Sequence, residues 1–88
     1  MSDVLFITSF ETLTATINVN SELINHLSKN FNNIYFINAG NLAFPKDAKI
    51  DENISNIKKL SNMHFINPNN FKEFDNFLQN KNVFVISN

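Results

Sequence analysis

The sequence predicts an α/β fold, a Rossmann-like parallel sheet of about four strands with helices on both faces. The first indication is a set of short runs that are apolar at almost every position, which is typical of strands covered on both faces. These runs occupy residues 4–8, 34–37, 63–66 and 83–86. The second indication is that apolar residues recur at helical spacing between the runs, so strand and helix alternate to the end of the chain.

Length and composition limit the classes of protein to which the chain can belong. Its 88 residues are enough for one small domain, which we expect to span residues 1–88. The formal net charge of −1 provides no electrostatic basis for nucleic-acid binding. The absence of cysteine excludes disulfides, thiol catalysis and cysteine-ligated zinc. Asparagine is frequent, but the apolar periodicity between the asparagines favours an ordered domain over prion-like disorder.

No segment has the length of a targeting or membrane-spanning sequence. The first apolar run has five residues, fewer than the roughly 7–15 of a signal-peptide core. No later stretch approaches the ~20 residues of a membrane helix. We therefore predict a cytoplasmic location and no transmembrane segment.

A polar, hydroxyl-rich segment and then a helix follow the first predicted strand. The polar segment covers residues 9–16. Apolar side chains then gather on one helical face at Ile17, Leu23, Ile24, Leu27 and Phe31. The helix is predicted to begin within residues 14–20, where several side chains can cap it, and to end near Asn30.

A turn and a second helix are predicted after the second strand. Gly40 follows that strand closely, and we expect it to supply a positive φ for the turn. Pro45 is expected to keep the next residues extended. A short helix of about three turns is predicted from four residues at helical spacing, Ile50, Ile54, Ile57 and Leu60. Asp51 and Glu52 lie at its start, where carboxylates interact favourably with the helix dipole.

One more helix and the fourth strand complete the prediction. Asn67 and Pro68 have the residue types of an N-cap and a first helical position. The buried stripe of that helix comprises Phe71, Phe74, Phe77 and Leu78. The second and fourth strands are the strongest neighbours for the first, and the third is placed outside the second. With right-handed crossovers this gives the order third, second, first, fourth, which is the first half of a Rossmann sheet.

The carboxyl ends of the first and fourth strands mark the predicted binding crevice, because ligands of open α/β sheets bind where the strand order reverses. The loop after the first strand lines this crevice, and within it we predict substrate-binding residues at Ser9, Glu11, Thr12 and Thr14. Hydroxyls beside a helix N-terminus are suited to phosphate. The segment has no glycine, however, so the dinucleotide fingerprint and the P-loop are absent, and a purely structural loop is the favoured interpretation.

No constellation of catalytic or metal-ligating residues is recognisable in the sequence. Glu11 is the acid nearest the predicted crevice; a general base is one interpretation, and a solvated loop residue is the favoured one. His26 falls opposite the apolar face of its helix and His64 in a short strand, which favours a surface residue and a packing residue respectively. Neither has carboxylates at metal-ligand spacing. We therefore predict no catalytic residue, no cofactor and no metal.

Several stretches of the chain, taken in order, match the pattern of a known enzyme family. They are the strand that ends Phe-Ile-Thr-Ser at residues 6–9, the polar loop, the helix Ser-Glu-Leu-Ile-Asn-His-Leu at residues 21–27, and residues 63–68, 71–78 and 83–88. This pattern resembles the amino-terminal part of a GT-B fold glycosyltransferase. The chain departs from the family in the loop after the first strand, where such enzymes often have glycines and this sequence has Thr12, Leu13, Thr14 and Ala15.

The resemblance implies a role on the acceptor side of a sugar-nucleotide-dependent enzyme. In GT-B enzymes the amino-terminal domain mostly handles the acceptor, and the carboxyl-terminal domain binds the nucleotide sugar. It follows that the ligand is a sugar acceptor, that the carboxyl-terminal domain is missing, and that residues 1–88 alone are inactive. No catalytic residue carries over. The alternative is a small Rossmann-like or flavodoxin-like module that serves binding or interaction without catalysis.

The fourth predicted strand has no partner for its outer edge. Residues 83–86 are consecutive and apolar, without the charge or proline that usually protects an edge strand. We expect that the domain is incomplete at its carboxyl end, and that the isolated chain self-associates through this edge.

Overall fold

Four parallel strands form one sheet in the computed structural model, which describes residues 2–9, 11–48, 50–79 and 81–87. The strands are β1 (Asp3–Thr8), β2 (Ile34–Asn38), β3 (Met63–Phe65) and β4 (Val83–Ser87). Their spatial order is β3-β2-β1-β4, with every neighbouring pair parallel. The predicted fold class and strand order are therefore confirmed.

The main core lies on one face of the sheet, beneath the first two helices. Alternate residues of the strands point to this face, among them Val4, Phe6, Ile34, Phe36 and Met63. The rings of Phe6 and Phe36, which are paired in the register of β1 and β2, stack with their centroids 5.4 Å apart. Helices α1 (Leu13–Val19) and α2 (Ser21–Asn30) cover the face through Ile17, Ile24 and Leu27.

The opposite face of the sheet contacts the helix that leads from β3 to β4, which is α4 (Phe71–Leu78). Tyr35 points to this face, because neighbouring residues of a strand alternate between faces. Its ring meets the edge of the Phe77 ring at a centroid distance of 4.9 Å. The Nζ of Lys81 lies 4.8 Å from the centroid of Phe77 and 5.4 Å from that of Tyr35. Helices therefore lie on both faces, and the direction of the chain across the sheet reverses between β1 and β4.

The single helix predicted after β1 consists of two consecutive helices in the structure. Helix α1 begins at Leu13, just before the predicted window, because Thr12 caps it: the Thr12 hydroxyl accepts a hydrogen bond from the Ala15 N–H at 3.2 Å. Asn20 separates α1 from α2. Its backbone N–H (3.1 Å) and its side-chain amide (2.8 Å) both donate to the carbonyl oxygen of Thr16. This double use of one carbonyl marks the end of α1.

The helix predicted over residues 50–60 is wrong. The segment contains only one turn of 3₁₀ helix, Ile54–Asn56. Ile50, expected on the buried stripe, is 83% exposed. Ile57 and Leu60 still pack against the core, but they do so from irregular backbone. In this segment the apolar spacing marks two residues that pack against the core, Ile57 and Leu60, and does not indicate a helix.

Two local predictions around the end of β2 are also wrong. Gly40 lies inside a short helix, α3 (Ala39–Ala43), and has no positive φ. A glycine is required there for a different reason, since a Cβ on residue 40 would overlap the carbonyl oxygen of Ser9. Pro45 begins a turn of 3₁₀ helix, Pro45–Asp47, and does not keep the chain extended. Proline suits the start of a helical turn because it has no N–H to leave unbonded.

Helix α4 begins later than the sequence indicated. Its N-cap is Asn70 and not Asn67: the Asn70 Oδ1 accepts from the Glu73 N–H at 2.9 Å, and the Glu73 carboxylate accepts from the Asn69 N–H at 2.5 Å. This reciprocal pair resembles a capping box and sets the start of the helix at Phe71. Phe71, expected on the buried stripe, is 61% exposed at the first position of the helix, and the half-buried stripe is restricted to Phe74, Phe77 and Leu78.

The helices of the described residues are short. The longest of them, α2, has 10 residues. None of the helices in the described part of the chain combines the length and the apolar character needed to cross a membrane. The cytoplasmic location stays a prediction.

Candidate functional site

The candidate site is a cleft at the carboxyl ends of strands β2 and β3. It has a volume of about 530 Å³, within the roughly 300–1,000 Å³ usual for small-molecule sites. The ends of β2 and β3, the first residue of α1, helix α3 and the 3₁₀ turns after it surround the cleft. Its apolar lining includes Leu13, Ile37, Ile54, Phe65 and Pro68. We refer to it as the amide cleft, because four asparagines supply most of its polar lining: Asn38, Asn41, Asn67 and Asn69.

The carboxylate of Asp51 occupies the start of helix α1, on one wall of this cleft. Its Oδ2 accepts a hydrogen bond from the Thr14 N–H at 3.0 Å, and its Oδ1 accepts one from the Thr14 hydroxyl at 2.6 Å. The first N–H groups of a helix have no partner within the helix, and the helix dipole favours negative charge there. Asp51 therefore stabilises α1, and not a helix of its own as the sequence suggested.

This position of Asp51 has a consequence for ligand binding. In Rossmann folds the N-terminus of the first helix is where a phosphate group binds. Here an anionic side chain of the same molecule already accepts the Thr14 N–H. A phosphate placed there would lose that donor and would lie beside a carboxylate of like charge. The arrangement disfavours nucleotides at this point.

The loop between β1 and α1 is held by hydrogen bonds of its own. The Thr8 hydroxyl donates to the carbonyl oxygen of Glu11 at 3.1 Å, and the Asn38 side-chain amide donates to the same oxygen at 3.3 Å. The Asn38 Oδ1 in turn accepts from the Asn41 N–H at 3.0 Å and caps α3. The ends of β1 and β2 are thereby joined by one polar network.

The structure places the predicted substrate-binding residues mainly in structural roles. The hydroxyls of Thr12 and Thr14 are engaged at the start of α1, and the exposed Glu11 contributes its backbone carbonyl to the loop network. None of these three lines the amide cleft. Ser9 is half-buried and lines a second cleft, described below. Their role in binding a substrate stays a prediction, and Phe10, within the same loop, lies outside the described residues.

The residues that line the amide cleft were mostly missed by sequence reasoning. Asp51 follows Ile50 in what looked like a helix start, and nothing local indicates its contact with Thr14, which is 37 positions away. Asn67 looked like the cap of the following helix and Asn69 had no predicted role, although the side chain of Asn67 is exposed in the cleft and takes no part in the cap of α4. Their position directly after a predicted strand was the available signal.

A second cleft lies on the other side of helix α3. It has a volume of about 480 Å³ and is lined by Ser9, Gly40 and Asp47 together with two phenylalanines. The rings are those of Phe44, which is 65% exposed, and Phe71, at the start of α4. Most of its lining is apolar, so it lacks the convergent hydrogen-bonding groups of the amide cleft.

Protein-family models, curated proteins and solved structures give no match to this chain. Support for a function therefore comes from the geometry of the clefts and of the sheet edges.

Neither histidine lines the amide cleft or the second cleft. The Nε2 of His64 lies 2.8 Å from the Oδ1 of Asn33, and its ring contacts that of Tyr35 at a centroid distance of 5.2 Å. His26 is exposed on α2 beside Asn30, which donates to the His26 carbonyl oxygen at 2.8 Å. Both histidines thus have the local roles that the sequence favoured. Among the residues that the structure describes, no group of three or more His, Asp or Glu is placed to hold a metal ion.

Proposed function

We propose that this chain is a Rossmann-like binding domain that holds a neutral, hydroxyl-bearing ligand of the sugar class in the amide cleft. The proposal corresponds to the acceptor side of a GT-B glycosyltransferase, with donor binding and catalysis supplied by another domain. The observation that carries it is the chemistry of the cleft lining. Among the described residues that line it, Asp51 is the one charged side chain, and its carboxylate is already bonded to Thr14.

Amide side chains suit the recognition of sugar hydroxyls. An asparagine side chain has an acceptor oxygen and an NH₂ donor, and a sugar hydroxyl can bond to both. Asn38 already bonds to the Asn41 N–H and to the Glu11 carbonyl, and the Asn69 amide donates to Glu73, so a ligand would use the lone pairs and N–H groups that remain on them. Asn67 and Asn69, which follow the end of β3, line the cleft together with Asn38 at the end of β2 and Asn41 in α3. Apolar residues between them, including Phe65, can contact the C–H faces of a sugar ring. A few polar groups within a mostly apolar lining are typical of small-molecule sites.

Titration of the full ¹⁵N-labelled chain, followed by ¹H–¹⁵N correlation spectra, tests the proposal. The probes are glucose, N-acetylglucosamine, uridine diphosphate and uridine diphosphate glucose. We expect millimolar binding of a neutral sugar, with the amide signals of Asn67, Asn69 and Leu13 shifting together. Uridine diphosphate alone should leave the signals of Thr14 and Ala15 unchanged, because Asp51 occupies the start of α1.

A matched pair of variants tests the site itself. Asn67→Leu removes the amide from the cleft at an exposed position, where substitution should change stability by no more than about 0.5 kcal/mol. We expect sugar affinity to fall roughly tenfold, which corresponds to about 1.4 kcal/mol of lost hydrogen bonding. Asn56→Leu is the control, since Asn56 is equally exposed and lines neither cleft. Sugars that leave the cleft signals unmoved, or micromolar binding of uridine diphosphate at Thr14, would contradict the proposal.

The alternative function, an interaction module without catalysis, is favoured by a separate observation. Strand β4 is an edge of the sheet with two large apolar side chains exposed, Phe84 and Val85. This feature concerns association with another polypeptide and is independent of the amide cleft.

A further inference from the structure

We infer that two copies of this chain associate through β4, antiparallel across a two-fold axis at Val85, so that their sheets join into one. The inference depends on the direction of the backbone groups, the side chains of the edge and its lack of charge. It does not depend on the ligand proposed for the amide cleft.

The free edge of β4 presents backbone groups in a known order. The Asp3 N–H donates to the Asn82 carbonyl oxygen at 3.1 Å, so the polar groups of residue 82 point toward β1. Successive residues of a parallel strand alternate between its two neighbours. The backbone N–H and C=O groups of Phe84 and Ile86 therefore also point toward β1, in agreement with the register that pairs Phe84 with Val4. The N–H and C=O groups of Val83, Val85 and Ser87 point outward.

One antiparallel register uses all of these outward groups. Hydrogen-bonded pairs of an antiparallel ladder each exchange two bonds, so an outward residue must face an outward residue of the second copy. Placing Val85 opposite Val85 of the second copy also places Val83 opposite Ser87, and Ser87 opposite Val83. Every outward group of β4 (Val83–Ser87) then has a partner. A shift in either direction leaves some of them unpaired.

The same register brings the exposed apolar side chains together. Phe84 is 66% exposed and Val85 is 54% exposed in the isolated chain. With Val85 on the axis, Phe84 lies opposite Ile86 of the second copy, in the non-hydrogen-bonded position where side chains approach most closely. The reciprocal pair forms on the other side of the axis. Each copy thereby covers a phenylalanine that its own helices leave in solvent, apart from the edge contact with Phe31.

Charge and size describe the kind of association to expect. No residue of β4 (Val83–Ser87) is charged or proline, although natural edge strands usually carry such residues to prevent pairing. Across a two-fold axis β4 meets an identical strand, so a charge on it would lie close to the same charge on the second copy, and an uncharged strand therefore suits a homodimer. Five residues at ~3.4 Å each give an edge only about 17 Å long. Such an edge covers less than the roughly 800 Å² per partner of a standard interface, so the dimer should be weak and dependent on concentration.

Sedimentation equilibrium of the full chain over a range of concentrations tests the association. The average mass should rise from 10.1 kDa toward twice that value as the concentration increases. Val85→Pro should hold the mass at the monomer value, because it removes an outward N–H and no bond to β1. Val85→Thr, which keeps the β-branched shape and the N–H, should still dimerise. A wild-type chain that stays monomeric, or whose mass exceeds a dimer without a plateau, overturns the inference.

Single cysteines test the register and do not require the proline variant to fold. The chain has no cysteine of its own, so each introduced thiol can pair only with its copy. In the inferred dimer the Cα atoms of residue 85 lie about 5.5 Å apart, within the range that a disulfide bridges. Those of residue 87 are offset by four positions, or ~14 Å. Val85→Cys should therefore form a covalent dimer under mild oxidation, and Ser87→Cys should not. Equal cross-linking of the two variants, or none by Val85→Cys, refutes the register.

Discussion

Removing the Asp51 carboxylate should destabilise the fold through helix α1. The substitution Asp51→Ala deletes the acceptors of the Thr14 N–H (3.0 Å) and of the Thr14 hydroxyl (2.6 Å). The N–H would then lack a partner within α1, and the favourable charge at the positive end of the helix dipole would be lost. The contact also joins residues 37 positions apart, so it links the irregular segment after α3 to the first helix.

The size of the effect follows from these contacts. Hydrogen bonds to a charged group contribute about 1.5–3 kcal/mol when well buried, and the loss of a helix N-cap costs about 0.5–2 kcal/mol. Asp51 is only half-buried, so we expect the free energy of unfolding to fall by about 1–2 kcal/mol. For a domain of this size, that loss corresponds to a decrease in Tm of roughly 5–15 °C. Asp51→Asn, which retains one acceptor oxygen, should lose about half as much.

Thermal and urea denaturation, followed by circular dichroism, measure the loss. Glu52→Ala is the matched control, because Glu52 is the adjacent acid and is exposed; its effect should stay within about 0.5 kcal/mol. A double-mutant cycle with Thr14→Val isolates the bond to the hydroxyl, since valine keeps the N–H and the shape. If Asp51→Ala destabilises no more than Glu52→Ala, or if the cycle shows no coupling, the proposed role of Asp51 is refuted.

Two further predictions concern packing. Gly40→Ala should destabilise the fold by about 1–3 kcal/mol in urea denaturation, despite the better helix propensity of alanine, because its Cβ would overlap the Ser9 carbonyl; an unchanged or raised midpoint would contradict this. Phe36→Ala should cost about 3–5 kcal/mol, since Phe36 is fully buried against Phe6. Phe71→Ala, at an exposed ring, should change the midpoint little; similar losses at the two phenylalanines would show that the assigned core is wrong.

The strands and their order could be predicted from the sequence because their signal is local and dense. Four consecutive residues of β1, Val4–Ile7, are apolar, and a strand between two layers best accommodates such a run. The central position of β1 follows because the second and fourth strands are its strongest neighbours, and placing the third strand outside the second puts the reversal beside β4. The handedness of the crossovers then fixes the faces on which the helices lie. The exposed edge of β4 was also visible, because it needs only the absence of charge and proline over five residues.

The segment between β2 and β3 could not be predicted in the same way. Its isoleucines and Leu60 have helical spacing, yet the backbone of residues 50–60 is mostly irregular. The spacing arises in part because Ile57 and Leu60 pack, partly buried, against the core, and such packing is compatible with several backbone conformations. The segment is held by contacts that its residues make with other parts of the chain. Asp51 bonds to Thr14, and the Leu60 N–H lies 3.3 Å from the Met63 sulfur, in β3.

The sequence by itself determined the class of fold, the central strand and the unprotected outer edge of β4. Tertiary structure alone decided the chemistry at the carboxyl ends of the strands. Asp51 reaches α1, and Gly40 lies against Ser9, through contacts between segments that are distant in the chain. Periodicity reports which face of a segment is buried, because burial repeats along the backbone. Periodicity does not indicate which distant side chain bonds to a given N–H group. Here the bond from the Thr14 N–H to Asp51 is what disfavours phosphate at the start of α1.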